Sequence, residues 1–136
     1  MRPLVLSLLG MLALAAPASA SDPIRVTMTT TTARPLVGEP WGYTITVSAA
    51  SGRALSAKAR ITLLRGMRVV GCVRPRALVR CSTARAGTWI QFRRNRRQTF
   101  IWPALGVGRK LTFRATVVVD AKKVHLDTAV TVQPRP

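Results

Sequence analysis

His125 and Asp127 are the one pair of side chains in this 136-residue sequence with the types of a hydrolytic relay. Two apart on an extended strand, they share a face and lie roughly 6.5–7 Å apart along it. A His–Asp couple does hydrolytic chemistry only beside an activated nucleophile, typically a serine on a sharp strand-to-helix turn. No such segment occurs here. The remaining acids, Asp22, Glu39 and Asp120, stand singly in turns or near the N-terminus. His125 is the only histidine, too little with two cysteines to build a metal set. No phosphate-cradling glycine loop and no haem motif appears. The pair therefore reads as the polar outer face of a terminal strand. The expectation is a non-enzyme with no cofactor, no metal and no small-molecule substrate.

A second constellation is "RRNRR", residues 93–97. Arg93, Arg94, Arg96 and Arg97 could grip phosphate or carboxylate through forked, bidentate hydrogen bonds, with Phe92 and Phe100 flanking them. The competing account is a solvated loop whose charge serves solubility. These four arginines are the candidate anion-binding residues, in a segment that composition predicts to be a loop.

The only two cysteines lie in "CVRPRALVRC", Cys72 and Cys81. In an oxidising compartment two cysteines pair. Eight intervening residues with Pro75 near the middle suit a short hairpin whose tip carries Arg74 and Arg76. The spacing is not C-x-x-C, which argues against a redox motif. The expected disulfide pins one hairpin and closes a small loop.

Residues 1–20 supply the compartment. Arg2 precedes an apolar run from Leu4 to Ala16, Pro17 ends it, and Ala18-Ser19-Ala20 presents small residues at −3 and −1. This is the pattern of a secretory signal peptide cleaved after Ala20. The run is short for a membrane anchor, which needs about 20 apolar residues. No later segment is apolar enough to span. The expectation is a released, extracellular or envelope protein with a single domain at 21–136.

Charge is the loudest feature. Lys and Arg number 22 against four acids, a formal net of +18. Arginine supplies eighteen of the 22 and alanine is abundant, a bias that a GC-rich genome also produces. A chain so cationic attracts polyanions and repels itself. Anionic polymers, whether of a cell wall or extracellular nucleic acid, are the expected partners.

The elements that must carry these residues are strands. Short runs rich in Val, Ile, Thr, Phe and Trp alternate with Gly and Pro. "IRVTMTT" (24–30), "WGYTITVSA" (41–49), "KARITLL" (58–64), "MRVVGCV" (67–73), "ALVRCST" (77–83), "TWIQF" (88–92), "TFIWPA" (99–104), "KLTFRATVVV" (110–119) and "VHLDTAVTV" (124–132) alternate with period two. Trp41, Tyr43, Ile45 and Val47 share one face, as do Leu111, Phe113, Ala115, Val117 and Val119. Trp41, Trp89 and Trp102 are assigned to core and edge packing. Eight or nine short strands point to an all-β fold, an antiparallel two-sheet sandwich of immunoglobulin-like type. Antibody-type domains space their cysteines far apart, which this chain does not do.

"LVGEPWGYTITVSA", "LLRGMRVVGC", the close pair Cys72 and Cys81, "LGVGRKLTF" and "DTAVTV" together resemble the bacterial "conserved repeat" domain, domain of unknown function 11. The resemblance covers most of residues 24–133. It implies a secreted or cell-surface β-sandwich with a structural or adhesive role and no catalytic residues to transfer. Two departures stand out: "SAASGR" replaces the family's Asn-Gly turn, and Arg85–Gln98 looks like an insertion that carries the arginines. The functional expectation is a secreted, non-catalytic envelope module, the alternative a cationic effector acting on nucleic acid or membranes.

Overall fold

The computed structural model describes residues 22–136. The leader expected at 1–20 and its cleavage point lie outside the described residues. Nine strands follow: β1 Ile24–Thr30, β2 Pro40–Ala49, β3 Ala57–Arg65, β4 Arg68–Val73, β5 Leu78–Arg80, β6 Ile90–Phe92, β7 Asn95–Ile101, β8 Lys110–Val119 and β9 Lys122–Thr131. One 3-10 turn, Ala84–Ala86, is the only helical piece among the described residues. The chain is all-β with two antiparallel sheets, as the alternation predicts.

The smaller sheet runs β1-β2-β7 and the larger β9-β8-β3-β4-β5, with β6 pairing the free half of the β3 edge. Period two decides which side chains meet. Trp41, Tyr43, Ile45 and Val47 of β2 face Ala59, Ile61 and Leu63 of β3 and Phe113, Ala115 and Val117 of β8 in one buried cluster. Trp41 joins the sheets, packing edge-on against Phe113 at 4.8 Å and Trp102 at 5.1 Å. Both buried indoles have acceptors: Trp41 Nε1 donates to Thr32 O and Trp102 Nε1 to Leu105 O. A buried donor without a partner would cost about 1–3 kcal/mol and offset part of what its ring contributes by packing.

The segment after β1 changes sheets. Leu36 bridges Gln133 in parallel, and Thr131 N, Gln133 N and Val37 N bond to Ala33 O, Pro35 O and Gln133 O. This covers the end of the β9 edge, which would otherwise invite strand pairing with another chain. The β7–β8 connection depends on Gly106. Its φ is +72°, and a Cβ there would stand 2.4 Å from Leu111 Cδ1.

Several boundaries differ from expectation. The strand in "TWIQF" is confined to Ile90–Phe92, and that in "TFIWPA" stops at Ile101. The larger difference is "RRNRR". Composition makes it a loop, yet Asn95, Arg96 and Arg97 open β7 and pair with Thr46, Ile45 and Thr44. Arg94 O accepts from Val47 N, one step before the strand begins. The β2 ladder supplies partners for this backbone, and pairing overrides the composition of the side chains. Within Arg85–Gln98, Ile90–Phe92 thus form β6 and Asn95–Gln98 begin β7 of the smaller sheet.

Candidate functional site

Because β7 is a strand, its arginines do not form one cluster. Side chains alternate across the sheet. Arg97 projects outward with Asn95 and Thr99, while Arg96 turns inward with Gln98 and Phe100 and is half-buried. Arg93 and Arg94 are exposed in the bend that precedes the strand. Of the four candidates, Arg93, Arg94 and Arg97 remain available to a ligand in solution. Arg97 borders a shallow open hollow on the outer face of the smaller sheet, lined with the hydroxyls of Thr29, Thr44 and Thr99.

Arg96 belongs to an interior polar group that the sequence did not announce. Tyr43 Oη donates to Gln98 Oε1 at 2.8 Å, and Gln98 Nε2 donates to Pro75 O at 2.9 Å. Gln98 therefore ties β2 and β7 of one sheet to the cysteine hairpin tip of the other. Arg96 Nε is buried beside this chain without a hydrogen-bond partner. Burial pushes the Tyr43 phenol above its ordinary value, and Arg96 partly opposes that shift. The signal available in the sequence was Gln98 on the inward side of the Phe100 alternation.

Cys72 and Cys81 form the expected disulfide, with Cα atoms 5.7 Å apart. Cys72 pairs opposite Val79, and Cys81 lies just past β5, its N–H bonded to Val70 O. Arg74 and Arg76 project from the tip into solvent. The sulfurs lie on the outer face of the larger sheet, where the 82–89 segment passes and Thr88 N bonds Val73 O. Gly87 packs closely there: a Cβ would stand 3.0 Å from Arg60 Cγ and 3.2 Å from Ile61 O.

His125 and Asp127 do share the outer face of β9, opposite Thr116 and Arg114. Asp127, however, is engaged by Arg114, which donates from Nε at 2.8 Å and from Nη2 at 3.0 Å. Arg114 holds the Asp127 carboxyl below the usual carboxylate range; burial opposes this and His125 adds a smaller push in the same direction. At one end of the molecule Arg53 spans both Asp22 and Asp120, and the Arg53 guanidinium holds Asp22 below its usual value. Among the described residues, Arg53 and Arg114 are the only cations with a carboxylate partner. Trp89 departs from a core role: it lies half-buried beneath Lys58 and Arg60, at 4.8 and 4.5 Å from its ring centre. No group of three metal-ligating side chains occurs among the described residues.

No family model and no curated protein matches the chain. Solved structures give distant likenesses. The sporulation control protein Spo0M of Bacillus subtilis aligns over 81% of this chain and 49% of its own, at 11% identity and TM-score 0.45. The alkylpurine DNA glycosylase AlkC of Pseudomonas fluorescens aligns over 85% and 32%, at 10% identity and TM-score 0.43. A CARDB domain from Pyrococcus furiosus, solved with di-metal ions, aligns over 82% and 88%, at 15% identity and TM-score 0.42. The chain thus spans less than half the length of the first two.

Proposed function

We propose that the chain is a secreted, non-catalytic immunoglobulin-like module of a bacterial envelope that binds anionic polymers. The observation that carries this reading is charge without counter-charge: 22 basic residues against four acids, two of which are spent on a single arginine. Such a surface condenses on polyanions by releasing their counterions. Arg93, Arg94 and Arg97, all exposed and within five residues of one another, are its candidate patch. The immunoglobulin-like assignment is supported by the β1-β2-β7 and β9-β8-β3-β4 strand orders and by the parallel bridge of the β1–β2 connection to the end of β9. The quoted motifs of the "conserved repeat" domain agree with it. The disulfide fits an oxidising compartment. Export predicts a mature N-terminus at Ser21, read by mass spectrometry of the culture supernatant. An intact Met1 species in the membrane fraction would refute it.

The binding test is a salt titration with heparin and double-stranded DNA as probes. Affinity should fall steeply with salt and vary little between the two. Replacing Arg93, Arg94 and Arg97 with glutamine should cost more affinity than replacing the exposed Arg25, Arg76 and Arg85. Equal losses would assign binding to the whole surface and dissolve the patch. Absence of binding at about 0.15 M salt, where charges are screened beyond about 8 Å, would overturn the function.

A further inference from the structure

Among the described residues, the large apolar side chains left in water are Met67, Ile101 and Val107, with 100%, 57% and 43% of their area exposed. All three stand at the same end of the sandwich. Leu64 pairs with Thr112 and Arg65 with Arg68, so the Gly66-Met67 turn extends beyond the last rung, beside the start of β8. Gly66 has φ +62°, as the first residue of a type II′ hairpin turn requires, and it leaves Met67 at the very tip. Val107 rides on the 102–109 connection just before β8. That connection is held rigidly by Gly108 N to Val132 O and Arg109 N to Gly106 O, and by the buried Leu105 beneath it. Ile101 closes β7 opposite Pro40 at this same end.

Single exposed apolar residues need no explanation. Here they are gathered, and they are ringed by exposed cations: Arg65, Arg68, Arg109 and Lys110. The one carboxylate nearby is Glu39. We infer that this end of the domain docks on an anionic lipid bilayer, with Met67 and Val107 entering the headgroup–acyl boundary while the surrounding arginines and lysine meet lipid phosphates. A hydrated polyanion satisfies the cations but offers nothing to Met67 or Val107. A bilayer offers both a plane of phosphates and an apolar layer immediately beneath it. An unbranched methionine side chain adapts readily to such an environment.

The test is co-sedimentation of the full domain with phosphatidylglycerol-containing vesicles and with pure phosphatidylcholine vesicles at 0.15 M salt. Binding should require the anionic lipid. Met67→Ser combined with Val107→Ser should weaken it about a hundredfold, the scale expected when two buried apolar side chains become polar, while heparin affinity stays unchanged. Replacing Arg65, Arg68 and Arg109 with glutamine should weaken vesicle binding more than replacing Arg25, Arg76 and Arg85. Met67→Trp should give a blue-shifted emission on anionic vesicles. All these side chains are exposed, so the variants keep the fold. No vesicle binding, full binding by the double serine variant, or equal losses from both arginine sets would each overturn the inference. The heparin and DNA titrations would stand through any of these, which separates this failure from failure of the polymer-binding function.

Discussion

Asp127 shows how one contact removes a residue from a chemical role. Strand spacing alone puts His125 and Asp127 on one face, but the β8–β9 register sets Arg114 opposite Asp127, and a forked pair forms. The folded carboxyl has a depressed pKa, so its stabilisation is complete above the unfolded value of about 3.9 and is lost as pH falls through the lower folded value. The pair is largely exposed, and its worth is below about 1 kcal/mol. Asp127→Asn should therefore lower thermal stability slightly at neutral pH and flatten the acid limb below about pH 4. A melting series over pH 2–7 checks both, and an acid limb as steep as wild type would refute the assignment. Gln98 is the opposite case, a polar side chain with no chemical signature that the fold depends on. Gln98→Ala leaves the Tyr43 hydroxyl and Pro75 carbonyl without their partner, at a cost of about 1–3 kcal/mol. Denaturant unfolding measures it, and a loss below about 0.5 kcal/mol would mean water substitutes freely for the amide.

At the scale of elements, alternation was readable and pairing was not. β1, β8 and the buried face of β2 follow from period two, because one face of each is apolar. The first half of β7 was hidden because the arginine run 93–97 swamps the alternation, and only Thr99–Ile101 was readable as strand. Gln98 and Phe100, turned inward, betray the strand. The split of the arginine run between two faces could not be read without knowing that β2 lies beside it. The cysteine hairpin was legible because parity, spacing and compartment agree. The bridge closes a short loop on the outer face of the larger sheet, away from the main core. Replacing Cys72 and Cys81 with serine should thus cost about 2–3 kcal/mol and leave a cooperative fold. Chemical unfolding of the double variant tests this, with non-reduced peptide mapping of wild type as the companion measurement. Free thiols in the native secreted protein, or loss of the near-UV spectrum in the variant, would contradict it.

For the whole molecule the governing quantity is unbalanced charge. Arg53 and Arg114 consume three of the four acids, and the other cations face one another across a small surface. Some repulsion is relieved locally: Lys58 and Arg60 lie over the Trp89 ring, where its π face offsets part of their charge. The remainder is long-range and is cut by salt, since the screening length falls from about 30 Å at 0.01 M to about 8 Å at 0.15 M. Folding brings these charges together, whereas the unfolded chain spreads them apart. Stability should therefore rise with ionic strength over that range, by about 1 kcal/mol or roughly 4 °C in Tm. Most proteins whose surface ion pairs balance would show little change or the reverse. A polyanion binds the folded surface where its charges are densest, so heparin at low salt should raise Tm by mass action and lose that effect as salt is added. The two dependences must converge: salt stabilises the free domain and weakens its binding to the polyanion. Calorimetric scans with and without heparin across 0.01–0.3 M salt would display the convergence. A Tm of the free domain that is flat or falls with salt would show that repulsion is not what limits this fold, and the cationic surface would then need no partner to neutralise it.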